Sequence, residues 1–335
     1  MTIVEMGSAC KATTPVDYRR HPFEAPELSL GEMFYPLGFP TVVRTNSPEI
    51  LSLASDLWSA FTRRFDTTPI RVDVHLVEGD SAECPPTPAF RVVRPLLINT
   101  ADSDNYSITN IERNATQIVL SRETLKYRSY LNYFFLAAAP LSHIATVFAT
   151  PVHAGCVTHN GRGVLLCGES GAGKSTLSYA CARAGWTYVS DDSTYLLNGG
   201  GDRLVTGNCH QVRFRPSAAE LFPEVAGLEI TPRAAGKPSI ELPTASMQGI
   251  TCATTAQVDF LVLLNRHSSG PQELVPWPKD AARHYLREVL FGSGEFLAPQ
   301  YAALERLLMA RIVELRYSDL DWAVHRLETL TREGI

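Results

Sequence analysis

Gly168-Glu169-Ser170-Gly171-Ala172-Gly173-Lys174-Ser175 restricts the fold more than any other stretch of this chain. It fills every position of G-x-x-x-x-G-K-[ST], and Thr176 follows. That pattern works only between a strand and a helix. Both flanks fit: "GVLLC" precedes it and "TLSYACARA" follows it. The glycines let backbone N–H groups turn inward around phosphate oxygens. The helix N-terminus adds partial positive charge. Lys174 is expected on the β- and γ-phosphates and the Ser175 hydroxyl on Mg²⁺. This half of the chain is therefore α/β, with ATP and Mg²⁺ as expected cofactors.

The residues around the loop narrow its use. "HNGRG" places Asn160-Gly161 between two apolar runs, the strongest short hairpin signal. "VHAGCVT" and "GVLLCG" should therefore pair antiparallel. After the loop come a helix over 174–184, Gly185 just past its end, and a strand "TYVS". That strand closes on Asp191 and Asp192, only seventeen residues after Lys174. One helix and one strand thus return two carboxylates to the phosphate site. Phosphoryl transfer needs chiefly positioning and charge stabilisation, so a carboxylate for the metal and one for the acceptor hydroxyl suffice. Neighbours on a strand face opposite ways, so both serve one site only where the strand ends or bulges.

Other candidates follow by position. His153 lies on the strand antiparallel to the loop strand, within reach of the γ-phosphate. Arg213 and Arg215, two apart in "QVRFRP", share a strand face and can clamp phosphate or an acidic substrate. Lys237, after a glycine, is a further phosphate-binding candidate. Glu220 and Glu224 are candidate second metal ligands, whereas His159 and His75 are expected to face solvent.

The remainder reads as two units, 1–122 and 123–335. The first has a helix opened by Ser47-Pro48, a strand over 70–80, a Pro-rich connection, and strands in "FRVVRPLLIN" and "TQIVLS". It is a small α+β domain without recognisable chemistry. The second opens with a helix of about 25 residues. Residues 129–157 carry no Asp, Glu, Lys or Arg, long enough for a bilayer span of ~20 residues. Asn132, Pro140 and two histidines favour instead a buried helix ending near Thr150 and then a buried strand. "VDFLVLLN" is a wholly apolar strand, and "PQYAALERLLMARI" and "SDLDWAVHRLETLT" read as two C-terminal helices. A net charge of −5 without a basic run gives no reason to expect nucleic acid or an anionic membrane. Seven scattered cysteines with no C-x-x-C, and no apolar leader in "MTIVEMGSACK", suit a reducing cytoplasm.

The block "VHAGCVTHNGRGVLLCGESGAGKSTLSYACARAGWTYVSDD" resembles the catalytic domain of HPr kinase/phosphorylase and its relatives, which include kinases that phosphorylate a peptide serine in lasso-peptide clusters. The likeness covers about forty residues closely and 123–335 in outline. It implies a P-loop kinase domain of the HPr kinase/phosphoenolpyruvate carboxykinase type: a mixed sheet with an antiparallel hairpin before the loop. By position it implies His153 as the active-site histidine, Lys174 as the loop lysine, Ser175 as the metal ligand and Asp191 as the base for the serine proton; Asp191 and Asp192 are, from their spacing after the loop, the candidate metal carboxylates. The family's His-Gly is His-Ala-Gly here, and "VRFRPSAAELFPEVAGLEI" stands in place of its later signature. Forward transfer to a peptide or protein serine is the implied reaction, and a homo-oligomer the implied assembly. A small-molecule kinase remains open as an alternative, as does an ABC-like ATPase or nucleotide-binding module.

Overall fold

The computed structural model describes residues 27–334 apart from 80–82, 200–201, 232–237, 268, 289 and 291–296. Lys237 and Cys10 lie outside the described residues.

The chain is mixed α/β and is built on two large sheets. The first has seven strands: β1 (Leu30–Phe34), β2 (Thr41–Thr45), β3 (Ile70–Val77), β4 (Ala89–Val93), β5 (Leu96–Thr100), β6 (Tyr106–Asn110) and β7 (Ala115–Ser121). Their order is β1-β2-β3-β7-β6-β5-β4, so β4 is an edge. Helix α1 (Pro48–Trp58) buries Ile50, Leu53, Ala54 and Trp58. The long apolar helix α2 (Arg128–Phe148) has the length and composition of a membrane span. One of its faces is taken up by protein. Tyr130, Leu131, Phe135, Leu136, Ala139 and Ile144 share a core with Val72, Val74, Ile118 and Leu120 of the first sheet. The helix expected to open the second unit therefore packs against the strands of the first.

Several expectations are corrected here. "FRVVRPLLIN" is not one strand but the hairpin β4–β5, which turns at Arg94-Pro95. His75 does not face solvent: β3 lies inside the sheet, between β2 and β7, and from Val72 to Leu76 its side chains are buried on both faces.

The second sheet uses β8 (Ala149–His159), β9 (Arg162–Cys167), β10 (Thr187–Ser190), β11 (Ser193–Leu197), β12 (Leu204–Gly207), β15 (Thr251–Cys252), β16 (Thr255–Arg266), β17 (Glu273–Pro276) and β18 (Arg311–Tyr317). A separate two-stranded sheet pairs β13 (Gln211–Phe214) with β14 (Ile240–Pro243). The helices are α3 (Lys174–Arg183), α4 (Lys279–Glu288), α5 (Leu297–Leu307) and α6 (Leu320–Glu333). Strand β9 runs parallel to β16, and β16 parallel to β18. Parallel strands covered on both faces read as continuous apolar runs, which accounts for "FLVLL" and "VLLC". Leu261 and Leu263 pack with Leu286, Leu304 and Leu307 of α4 and α5. Phe260 and Val262 point the other way, to Leu177, Leu327 and Leu330 of α3 and α6. Two helix layers thus sandwich the loop strand.

The β8–β9 pair is the expected antiparallel hairpin. Asn160 and Gly161 turn it with φ of 52° and 75°, the two positive values a type I′ turn needs. His159 is not free at this turn: its ring stacks on Trp186 and Nδ1 meets the Thr331 hydroxyl. The first of the two expected C-terminal helices ends at Leu307. "RIVELRY" is instead strand β18.

Candidate active site

The loop between β9 and α3 rises from the C-terminal end of a buried strand. Gly171 and Gly173 hold φ of 93° and 99°, a region that side chains rarely enter. Lys174 opens α3 with its side chain only 5% exposed. Its ammonium donates to the carbonyls of Gly168 (2.8 Å) and Glu169 (3.3 Å) and to His153 Nε2 (2.9 Å). His153 accepts, so its ring is neutral; burial lowers its pKa, with the Lys174 charge adding to the effect and Asp192 opposing it. Asp192 Oδ1 stands 3.5 Å from both Lys174 Nζ and His153 Nε2.

The two aspartates differ in surroundings. Strand β10 shifts register at its end and stops at Ser190, so Asp191 and Asp192 lie in a bend and both line one cleft. Asp192 is 49% exposed. Asp191 is 9% exposed, and its Oδ2 accepts from the Arg213 backbone N–H at 2.8 Å. Burial pushes its pKa from 3.8 up to about 6; Asp192 adds to the rise and the Arg213 N–H restrains it. Gly155 permits this packing, because a Cβ there would sit 2.3 Å from Ser178 Oγ and 3.0 Å from the Asp191 carbonyl.

Of the other loop residues, Ser170, Gly171, Gly173, Ser175 and Thr176 line the cleft. Gly168, Glu169 and Ala172 instead give their carbonyls to Lys174 and Tyr317. Arg213 and Arg215 reach the cleft from the end of β13. The Arg213 guanidinium is held by Gln211 and Glu241, while its backbone fixes Asp191. Glu220 lines the cleft. Glu224 is not among the residues lining the cleft: it accepts from the Tyr179 hydroxyl and pairs with Arg183.

Three residues join the site that sequence reasoning missed. Tyr285 of α4 accepts from the Gly168 N–H (2.8 Å), and its hydroxyl lies 3.0 Å from the Gly168 carbonyl and 3.2 Å from that of His153. Tyr317 donates to the Ala172 carbonyl. Arg266, exposed at the end of β16, lines the cleft beside the loop. Only Arg266 carried a signal, as a charge ending an apolar strand next to the loop strand.

The cleft encloses about 1260 Å³ and extends from the loop to the first sheet. Among the described residues no three His, Cys, Asp or Glu form a metal cluster. The donor set is instead a helix-N-terminal hydroxyl, Ser175, with two carboxylates on the same cleft. Oxygen donors of this kind suit Mg²⁺, which takes few protein ligands and completes its shell with phosphate and water.

No family model matches the chain, and no curated protein matches it. Among solved structures, the HPr(Ser) kinase/phosphatase from Coxiella burnetii is similar over 55% of this chain and 95% of its own, at 15% identity and a TM-score of 0.32. The likeness is distant.

Proposed function

We propose that the chain is an ATP- and Mg²⁺-dependent kinase that transfers the γ-phosphoryl group to a hydroxyl, a serine of a peptide or protein. The observation that carries this is the meeting of a nearly buried loop lysine with His153 and Asp192, beside a carboxyl whose pKa is raised to about 6. The residues fit a nucleotide phosphate. Lys174 has its ammonium drawn to backbone carbonyls and a neutral imidazole, with its nearest carboxylate at 3.5 Å. Ser175 and Asp192 would hold Mg²⁺, which when bound neutralises phosphate charge, and Asp191 is left for the acceptor hydroxyl.

Asp191 is the proton acceptor in this reading. A carboxylate with a pKa near 6 is ionised at pH 7 yet more basic than an ordinary aspartate, as a general base should be. The acceptor oxygen attacks the γ-phosphorus, its proton passes to Asp191, and the bond to the bridging oxygen breaks to release ADP. Lys174 and His153 keep positive charge and a neutral ring at the phosphate end. Arg215 and Arg266, on the same cleft, add cationic donors for phosphate oxygens. The cleft runs on from the loop to the first sheet, which leaves room beside the nucleotide for an extended peptide acceptor.

The test is transfer of labelled phosphate from ATP by Asp191→Asn. Its rate should fall about 10²–10⁴-fold, the worth of a positioned base, with ATP affinity retained. Full activity in this variant would refute the assignment.

A further inference from the structure

The cleft does not end at the phosphate loop. Its floor at the far end is the β4–β5–β6 face of the first sheet. Phe90, Asn99 and Ser107 form one cross-strand row, and Leu97 and Thr109 belong to the next. Its wall is α2, through Tyr133 and Phe134. Among the described residues strand β4 pairs only with β5, and its other side presents backbone N–H and C=O groups that no described strand takes up. Every residue of β4 is exposed, and Phe90 reaches 63%. Val92 and Val93 are also exposed. Natural edge strands are usually blunted by charge, proline or cover. Here the edge is exposed along its length, and its Phe90 lines the same cavity as Asp191 and Asp192.

We propose that β4 is a docking edge. On it an extended, acidic segment of the acceptor peptide adds as an eighth strand, and the cleft leads its hydroxyl-bearing residue to Asp191 and Asp192. The inference rests on the peptide-kinase reading above. A free sheet edge is satisfied along its length by another polypeptide, with backbone bonds giving affinity and alternate side chains giving selectivity. Phe90 offers the apolar contact on the cleft side. Charge selects the partner. Strand β4 carries the exposed Arg91 and no acidic residue, so an acidic strand is complementary. A second copy of β4 would bring arginines toward arginines, and like charges across strands destabilise a pair.

The probes are two pools of fluorescein-labelled, serine-centred dodecapeptides, one flanked by alternating valine and glutamate, the other by valine and lysine. Binding is read by anisotropy and transfer by labelled ATP, on the full chain. The glutamate pool should bind at least tenfold more tightly than the lysine pool. Phe90→Glu should weaken it at least tenfold, and Arg91→Glu should reverse the preference. Both positions are exposed, so melting curves and basal ATP hydrolysis should stay unchanged.

The outcomes separate the two readings. Binding that depends on Phe90 without any transfer supports the docking edge and refutes the peptide kinase. Transfer with the same KM in both variants refutes the docking edge and leaves the kinase standing. Absence of both binding and transfer overturns both. A dimer in sedimentation that Phe90→Glu dissolves also overturns the docking edge, making β4 a contact between copies.

Discussion

The two ends of the cleft are built on opposite principles. At the loop end, Lys174, His153 and Asp192 stand within 3.5 Å of one another, with Asp191 buried beside them. At the far end the lining is Phe90, Leu97, Tyr133 and Phe134. Charge is concentrated where a phosphoryl group must be held still. Apolar surface and free backbone are concentrated where a chain of variable sequence could lie. The loop end comes from forty contiguous residues, while the far end needs strands and a helix drawn from residues 90 to 142. A reaction centre of this kind can be read in a motif, whereas a docking surface exists only after folding.

If this contrast is right, the loop end should be the intolerant one. Lys174→Met removes the cation and its hydrogen bonds to the Gly168 and Glu169 carbonyls, leaving the Gly168 carbonyl to Tyr285 alone. Transfer should fall about 10²–10³-fold, as when a preorganised charge-stabilising donor is lost, and ATP affinity should fall with it. Steady-state kinetics and calorimetric titration check both. Phe90→Glu should leave basal ATP hydrolysis as it was. Equal losses from the two variants would erase the distinction between the ends.

The next test uses a buried titratable group at each end. His143 of α2, fully buried, meets the Thr116 hydroxyl at 3.0 Å, and burial pushes its pKa down from 6.5 to about 4. The described groups around it, Thr116 and beyond it Thr109, are uncharged. Its neutral form belongs to the fold. Its contribution is therefore complete above pH 6.5 and is lost as pH falls toward 4. Asp191 has the opposite sign. Its folded pKa of about 6 lies above 3.8, so ionisation opposes folding at neutral pH. At ~1.4 kcal/mol per pH unit, that opposition is at most ~3 kcal/mol. Asp191→Asn should raise Tm at pH 7.5, with the gain shrinking below pH 6 and gone below pH 3.8. His143→Gln should flatten the loss of stability that the wild type suffers between pH 6.5 and 5, ~2 kcal/mol at most. Melting curves across pH decide both signs.

These groups also mark what was legible beforehand. The loop, the Asn160-Gly161 hairpin and the aspartate bend were written in neighbouring residues, and backbone chemistry left few alternatives for them. The strand β18 was not legible, because Leu308-Met309-Ala310 carries no glycine or proline to end α5 visibly. Arg94-Pro95 was read through as strand because apolar residues continue on both sides. Burial of His75 depended on which strands flank β3, and one of them comes from Ala115–Ser121. Tyr285 reaches Gly168 across 117 residues, a contact that no local pattern encodes. The carboxylates could be named from sequence, but their unequal burial could not.

That inequality gives a smaller, sharper effect. The Asp192 charge helps to raise the Asp191 pKa. Turnover that requires ionised Asp191 should have an acid limb at the Asp191 pKa. Asp192→Asn should move that limb to lower pH, besides lowering the rate by removing a metal ligand. A limb that stays in place would separate the two carboxylates electrostatically, and one that moves upward would reverse the assignment of base. The pH dependence of kcat reads this directly.

The smallest effect is expected just outside the cleft. Glu224 looks, in sequence, as eligible for the metal as Glu220, four residues before it. Its carboxylate is instead engaged with the Tyr179 hydroxyl at 2.8 Å and with Arg183 at 3.4 Å. Burial would raise its pKa, but backbone hydrogen bonding, the tyrosine and the arginine outweigh that and lower it. An exposed pair of this kind contributes ~0–1 kcal/mol. Glu224→Gln should therefore leave Mg²⁺ dependence and kcat unchanged and cost at most a small shift in Tm. Glu220→Gln, on the cleft itself, is the matched control. A raised Mg²⁺ requirement in the Glu224 variant would place the metal on the far side of α3 and break the comparison at its charged end.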